Sequence, residues 1–427
     1  MTGSDRLALG IDIGTSGVRI AALNEGGDVV AQAAVATAAP DRDGSDITQD
    51  PMVWWRGVET AFAELGQHIK LASVGVVGVD GTSGTVLAID AGGRPLAPAR
   101  MYNEPCSWQA VEAIAAHAPV TSAARGNSSA LGRALKLQAL GTHPILHQAD
   151  WIAAQLTGRF NVSDENNALK TGYDPVARRW PEWIAATGMA MAMLPDVVPA
   201  GTVIGRCGTV LAKQLGLPAP ALVIAGTTDG CAAFLATGAD QLGDGVTSLG
   251  STLVLKLLSG RPVFAPDYGI YSHRIGDMWL AGGASNTGGA ALLQHFTAGQ
   301  MRLLEPQLDP DRETGLNYYP LPGTGERFPI NDGAMTSRVT PRPPGDAQFL
   351  QGLLEGIAAA EALGYARLAE AGAPLLSSLR TVGGGAANKA WTEIRQRKLP
   401  VPFRPARSEA AAAGVARLAL KAMRAGS

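Results

Sequence analysis

The stretch Leu7-Ala8-Leu9-Gly10-Ile11-Asp12-Ile13-Gly14-Thr15-Ser16-Gly17 drives an apolar run into an acidic residue and a Gly/Thr/Ser turn, and a second apolar run over 18–23 leaves it. Gly14 and Gly17 reach backbone angles closed to other residues, so consecutive N–H groups at this corner can converge on an anion. Thr15 and Ser16 add hydroxyl donors, and Asp12 stands at the strand end, where a carboxylate holds Mg²⁺ directly or through water. Taken alone, the segment is equally a hairpin with a glycine-rich turn.

The same grammar returns at three further corners. Asp229-Gly230 follows an apolar run over 222–225 and Gly226-Thr227-Thr228; Gly250-Ser251-Thr252 separates runs over 246–249 and 253–257; and 383–388 follows a run over 379–382. Four such corners suggest a nucleotide held between two domains. Neither G-x-x-x-x-G-K-[ST] nor G-x-G-x-x-G follows a strand, which disfavours P-loop and dinucleotide-binding folds.

At 427 residues the chain exceeds the size at which one hydrophobic core keeps growing, so two domains are expected, 1–241 and 242–427, the second opening near Gly243. Residues 7–13, 18–23 and 29–36 read as a strand meander. Asp50 then caps a helix opening at Pro51, with Trp54, Val58, Phe62 and Leu65 at helical spacing; Trp54 and Trp55 are expected in the core and wall. Residues 74–79 form a buried strand ending at Asp80, and 85–89 return from it across Gly81-Thr82-Ser83-Gly84. A helical layer over a mixed sheet is an α/β arrangement. From about 100 to 220 the pattern is mostly helical, clearest over 151–156, and reads as a cap inserted on the core, with Pro218-Ala219-Pro220 a hinge-like break. Residues 352–371 read as a long helix, 408–423 as a final helix started by Ser408 and Glu409, and 309–345 as a long surface loop.

An apolar fraction of 46% against 17% charged residues suits a well-buried soluble enzyme. A formal net charge of −2 without a long basic run argues against a nucleic-acid surface and for a small-molecule partner. Cys106, Cys207 and Cys231 are odd in number and dispersed, which points to reduced thiols, and the six histidines show no metal spacing. The amino terminus lacks the pattern of a signal peptide and no apolar run approaches ~20 residues, so a cytoplasmic protein with no membrane partner is expected. The sequence leaves a homodimer open.

Two facing phosphate turns resemble the two-domain actin-like ATPase (ribonuclease H-like) fold, with its active site in the interdomain cleft. Within it the chain resembles the FGGY carbohydrate kinases from end to end. Asp12-Ile13-Gly14-Thr15-Ser16-Gly17 is similar to that family's first phosphate motif, and Gln49-Asp50-Pro51 with Trp54-Trp55 to the stretch opening its first helix. Gly226-Thr227-Thr228-Asp229-Gly230 is similar to the catalytic-aspartate motif, Ser248-Leu249-Gly250-Ser251-Thr252 to the second phosphate motif, and Gly383-Gly384-Gly385-Ala386-Ala387-Asn388-Lys389-Ala390-Trp391 to the adenosine motif. The resemblance implies ATP and Mg²⁺ as cofactors. Asp12 would face the metal, Thr15, Ser16, Gly250, Ser251 and Thr252 would contact phosphates, Gly384, Gly385 and Asn388 would take the adenosine, and Asp229 would accept the proton of the attacking hydroxyl.

The acceptor is a ketopentose by the same resemblance. Long xylulose kinases carry Gly-Gln-Met-His-Gly where this chain has Asp80-Gly81-Thr82-Ser83-Gly84-Thr85, so the Met and His contacts are absent. The chain, in length and over 80–90 and 101–104, is closer to short kinases that resemble D-ribulose kinases; Ser83 and Asn103 are then the candidate sugar contacts, with Glu104 beside them and D-xylulose the alternative acceptor. Asp80 is open between a capping role and sugar contact. Arg395-Gln396-Arg397-Lys398-Leu399-Pro400 replaces the family's usual Ala-Asp segment, which points to an altered outer edge of the nucleotide site. Rival readings are an ATPase driving another protein, disfavoured by the lack of closely spaced Cys and of room for a substrate domain, and a non-catalytic sensor, against which Asp12 and Asp229 stand together.

Overall fold

The computed structural model describes residues 6–218 and 221–425, so two residues of the expected hinge, Ala219 and Pro220, lie outside the described residues. The chain forms two compact units. One holds the chain up to Ala236, with His273–Gly276 and the stretch from Ala410 on; the other holds Thr237–Ser272 and Asp277–Glu409.

In the first unit, β1 (Leu7–Ile13) is buried at every position, as a central strand with covered faces must be. It pairs antiparallel with β2 (Gly17–Leu23), which pairs antiparallel with β3 (Val29–Ala36). On its other side β1 runs parallel to β4 (Val74–Gly81), and the sheet continues through β6 (Leu222–Ile224) to β5 (Val203–Arg206). Helix α1 (Pro51–Leu65) starts as the sequence expects: the Asp50 side chain accepts from the Met52 N–H, and Pro51 occupies the first turn, where a missing N–H costs nothing. Trp54 is fully buried, its indole N–H donating to Gln49 at 2.7 Å.

Three expectations for this unit need correction. Val86–Ala88 does not return along β4; it joins Ala99–Arg100 and Ile145–His147 in a separate sheet, because the 82–85 turn is held by side chains rather than by a hairpin ladder. Helix α2 (Gln148–Thr157) is no cap: Trp151 and Ile152 pack into the same core as β1 and α1. The final helix, Ala411–Ala425, packs on β1 and on α3 (Asp229–Ala236) of the first unit and starts three residues later than expected. Glycines permit that approach. A Cβ on Gly10 would stand 1.9 Å from the Ala412 carbonyl oxygen, and one on Gly414 1.7 Å from that of Ala232.

The second unit repeats the pattern of the first. β7 (Asp244–Leu249) pairs antiparallel with β8 (Leu253–Ser259), which pairs antiparallel with β9 (Met278–Ser285). On the other side β7 runs parallel to β10 (Ser378–Val382), and β10 to β11 (Phe403–Arg404). Helix α4 (Asp346–Glu370) buries Phe349, Leu350, Leu353, Leu354 and Ile357 against this sheet. The stretch 309–345 is irregular but no surface loop, since Tyr318, Tyr319, Leu321 and Phe328 are buried in the same core. Beneath α5 (Lys389–Lys398), Arg395 and Glu361 form a fully buried two-pronged ion pair at 2.6 and 2.7 Å.

Candidate active site

Register in the first unit gathers three carboxyl groups at the carboxyl ends of adjacent strands, where open α/β sheets bind ligands. Asp12 lies opposite Asp80 across the parallel β1–β4 pair, and Thr227 lies opposite Asp80 on the other side, two residues before Asp229. Arg19 stands opposite Asp12 in the β1–β2 register and donates to it at 3.2 Å. Asp80 is fully buried, and neither of its carboxyl oxygens accepts a hydrogen bond from a protein donor. Burial pushes its carboxyl well above the usual range, reinforced by the charges of Asp12 and Asp229. Burial likewise raises Asp12, with Asp80 and Arg19 pulling the other way.

These carboxyls fit a hard cation. The orphaned oxygens of Asp80 and the strand-end carboxylate of Asp12 offer the one or two protein oxygens that Mg²⁺ takes beside phosphate and water. Among the described residues no cluster of three or more His, Cys, Asp or Glu forms an all-protein metal cage. Thr15 is half-buried and Ser16 exposed on the β1–β2 turn, closed by the Gly14 N–H donating to the Gly17 carbonyl at 2.9 Å. Asp229 opens α3 and accepts from the Gly230 N–H at 2.6 Å.

The expected acceptor residues divide. Ser83 sits in the 82–85 turn with its hydroxyl oxygen buried and unpartnered, whereas Asn103 is exposed. Glu104 is spent on structure: its carboxylate accepts from the Ile47 N–H, Arg100 and Lys136. Arg133, fully buried, ties the two segments together by donating to the carbonyls of Gly84 at 2.9 Å and Glu104 at 2.8 Å. Gln148, at the start of α2, receives both the N–H and the hydroxyl of Thr82, at 2.9 and 2.8 Å. Sequence reading missed Arg19, Arg133 and Gln148. Arg19 follows from counting the β1–β2 register, but nothing local marks the other two, whose partners are 29 to 66 residues away.

In the second unit a cavity of 610 Å³ is lined by Gly250, Ser251, Gly384, Gly385 and Asn388, with Leu249, Leu292, Met301, Leu354 and Trp391 as apolar walls. Thr252 stands outside it. Gly383, at φ +89°, turns the chain out of β10, and a Cβ on Gly384 would meet nothing within 4 Å, so the cavity reaches the backbone there. The Asn388 side-chain oxygen caps α5 by accepting from the Trp391 N–H at 2.7 Å, which leaves its amide N–H groups to offer. None of Arg395, Gln396, Arg397, Lys398, Leu399 or Pro400 lines the cavity.

The model of the FGGY family of carbohydrate kinases, N-terminal domain, matches residues 7–128 and 137–236, and that of its C-terminal domain matches 245–423. The xylulose kinase of Klebsiella pneumoniae is 27% identical over 436 residues, covering 96% of this chain and 89% of its own. The L-fuculokinase of Salmonella typhi is 26% identical over 433 residues, covering 92% and 87%. A solved structure of a "xyloylose kinase" from Brucella ovis superposes with a TM-score of 0.87 at 25% identity, covering 98% of this chain and 91% of that one.

Proposed function

The chain belongs to the FGGY family of carbohydrate kinases, and from that membership we propose that it transfers the γ-phosphoryl group of ATP to the terminal C5 hydroxyl of a ketopentose, D-ribulose before D-xylulose. The observation that carries the reading is a division of labour: three carboxyl groups at strand ends in the first unit, and an apolar-walled cavity floored by backbone at Gly384 in the second. Asp229 accepts the proton of the attacking hydroxyl, whose acidity rises as the phosphoryl group departs. Asp12 would hold Mg²⁺, whose charge would offset that of the phosphate oxygens. Thr15, Ser16, Gly250, Ser251 and Thr252 are the phosphate donors. The adenosine lies over Gly384 and Gly385 with its edge on Asn388, while Ser83 and Asn103 contact the sugar.

The preference for D-ribulose rests on Thr82, Ser83 and Thr85, hydroxyl side chains in the turn where long xylulose kinases carry Met and His. The alternative has support in relatives that are xylulose kinases. Coupled ADP release over D-ribulose, D-xylulose, L-ribulose, L-xylulose and glycerol distinguishes them. Highest kcat/KM on D-ribulose, falling roughly 10²- to 10⁴-fold in Asp229→Ala, is expected. Highest kcat/KM on D-xylulose supports the alternative. ATP hydrolysis indifferent to every sugar and to the substitution contradicts the proposal, and sugar binding without turnover moves the protein to a sensor.

A further inference from the structure

The 82–85 turn has a hydrogen-bond relay whose direction is fixed at its Gln148 end. The Tyr102 N–H donates to the Thr85 hydroxyl oxygen at 3.1 Å, and the Thr85 and Thr82 hydroxyl oxygens are 2.6 Å apart. The Gln148 amide oxygen only accepts, so the Thr82 hydrogen goes to it at 2.8 Å, and the Thr85 hydrogen therefore passes to Thr82. The Thr82 N–H donates to the same oxygen at 2.9 Å, which fixes the amide orientation, since the atom facing an N–H must be oxygen. Gly81 leaves the room: a Cβ there would stand 3.0 Å from Gln148 Oε1.

The other end of that amide is therefore a donor by necessity. Gln148 is fully buried, and its Nε2 has no hydrogen-bond partner. Ser83 Oγ in the same turn shares that condition. Buried polar groups left unpaired are rare and call for a partner outside the protein. A pivoted amide donor and a hydroxyl, both neutral, suit a polyhydroxylated ligand rather than a phosphate.

We propose that Gln148 is a specificity-determining residue of the acceptor pocket, its Nε2 donating to one oxygen of the ketose; this rests on the sugar-kinase reading. The test uses the ketopentose that the wild-type protein turns over best, a set of its monodeoxy analogues, and Gln148→Met. The expected result is an acceptor KM raised about tenfold or more, an ATP KM unchanged, and a penalty that vanishes for the one analogue lacking the contacted oxygen. Gln148→Glu, isosteric and still accepting from Thr82, guards against a folding defect and is expected to show the same analogue dependence. A penalty equal across all analogues, or one falling on ATP, overturns the assignment while leaving the kinase reading intact; it would mean that an enclosed water satisfies the amide. Absence of turnover with any ketopentose overturns both.

Discussion

Asp164 shows how strongly a single buried side chain can set the response to pH. Its carboxyl is pushed up to about 8 by burial and by the nearby charge of Asp150, against the hydrogen bonds it accepts from Asn167 and Asn166. In an unfolded chain the same group titrates near pH 3.9. Between about pH 4 and about pH 8 the folded protein thus holds a proton that the unfolded chain has released, and stability falls as pH rises, by up to about 1.4 kcal/mol per pH unit. Urea unfolding at pH 5, 6, 7 and 8 should show that decline, and Asp164→Asn, which keeps an oxygen for both backbone N–H groups, should flatten it. A wild-type protein equally stable across the range contradicts the protonated state. Asp164 illustrates what sequence conceals: burial depth and the neighbouring charge come from the tertiary structure. Asp12 and Asp229 are legible because each stands at a strand end beside glycine. Asp80 is only half legible, since its burial and its Asp12 neighbour across the β1–β4 register come from the tertiary structure.

Among the elements, the strands flanking each glycine corner are the most readable, because apolar runs broken by Gly, Ser and Thr have few other ways to fold. The long irregular stretch 309–345 and the helix at 148–157 are misread for one reason: periodicity reports which face is apolar, not which core it joins. The corner at 383–388 supports a paired expectation. Gly384→Leu puts its Cβ more than 4 Å from any protein atom and its side chain into the 610 Å³ cavity, so it should raise the ATP KM at least about tenfold while leaving the melting temperature and the sugar KM unchanged. Gly385→Ala should do the opposite, lowering the melting temperature, because its Cβ would stand 2.6 Å from Trp391 and 2.8 Å from Leu249. If Gly384→Leu leaves the ATP KM as it was, the cavity is not the nucleotide's.

Over the whole molecule, the echo between the two units pairs the β1–β2 corner with the β7–β8 corner, which are the places of the two phosphate motifs. The packing of the final helix on the first unit is invisible to linear reading, since only its approach to Gly10 and to α3 gives it a home. Nucleotide at a hundred times its Kd should stabilise the folded protein by about 2.7 kcal/mol, seen as a rise in melting temperature that Gly384→Leu cuts by about half or more and Gln148→Met leaves intact. The central claim is phosphoryl transfer to a ketopentose C5 hydroxyl, and phosphorus-31 and carbon-13 NMR of the products from ATP and D-ribulose tests it most directly. One equivalent of ADP for each ketopentose 5-phosphate, with phosphorus coupled to C5, is the expected result. Release of inorganic phosphate with the sugar unchanged, or phosphate at another carbon, would contradict it.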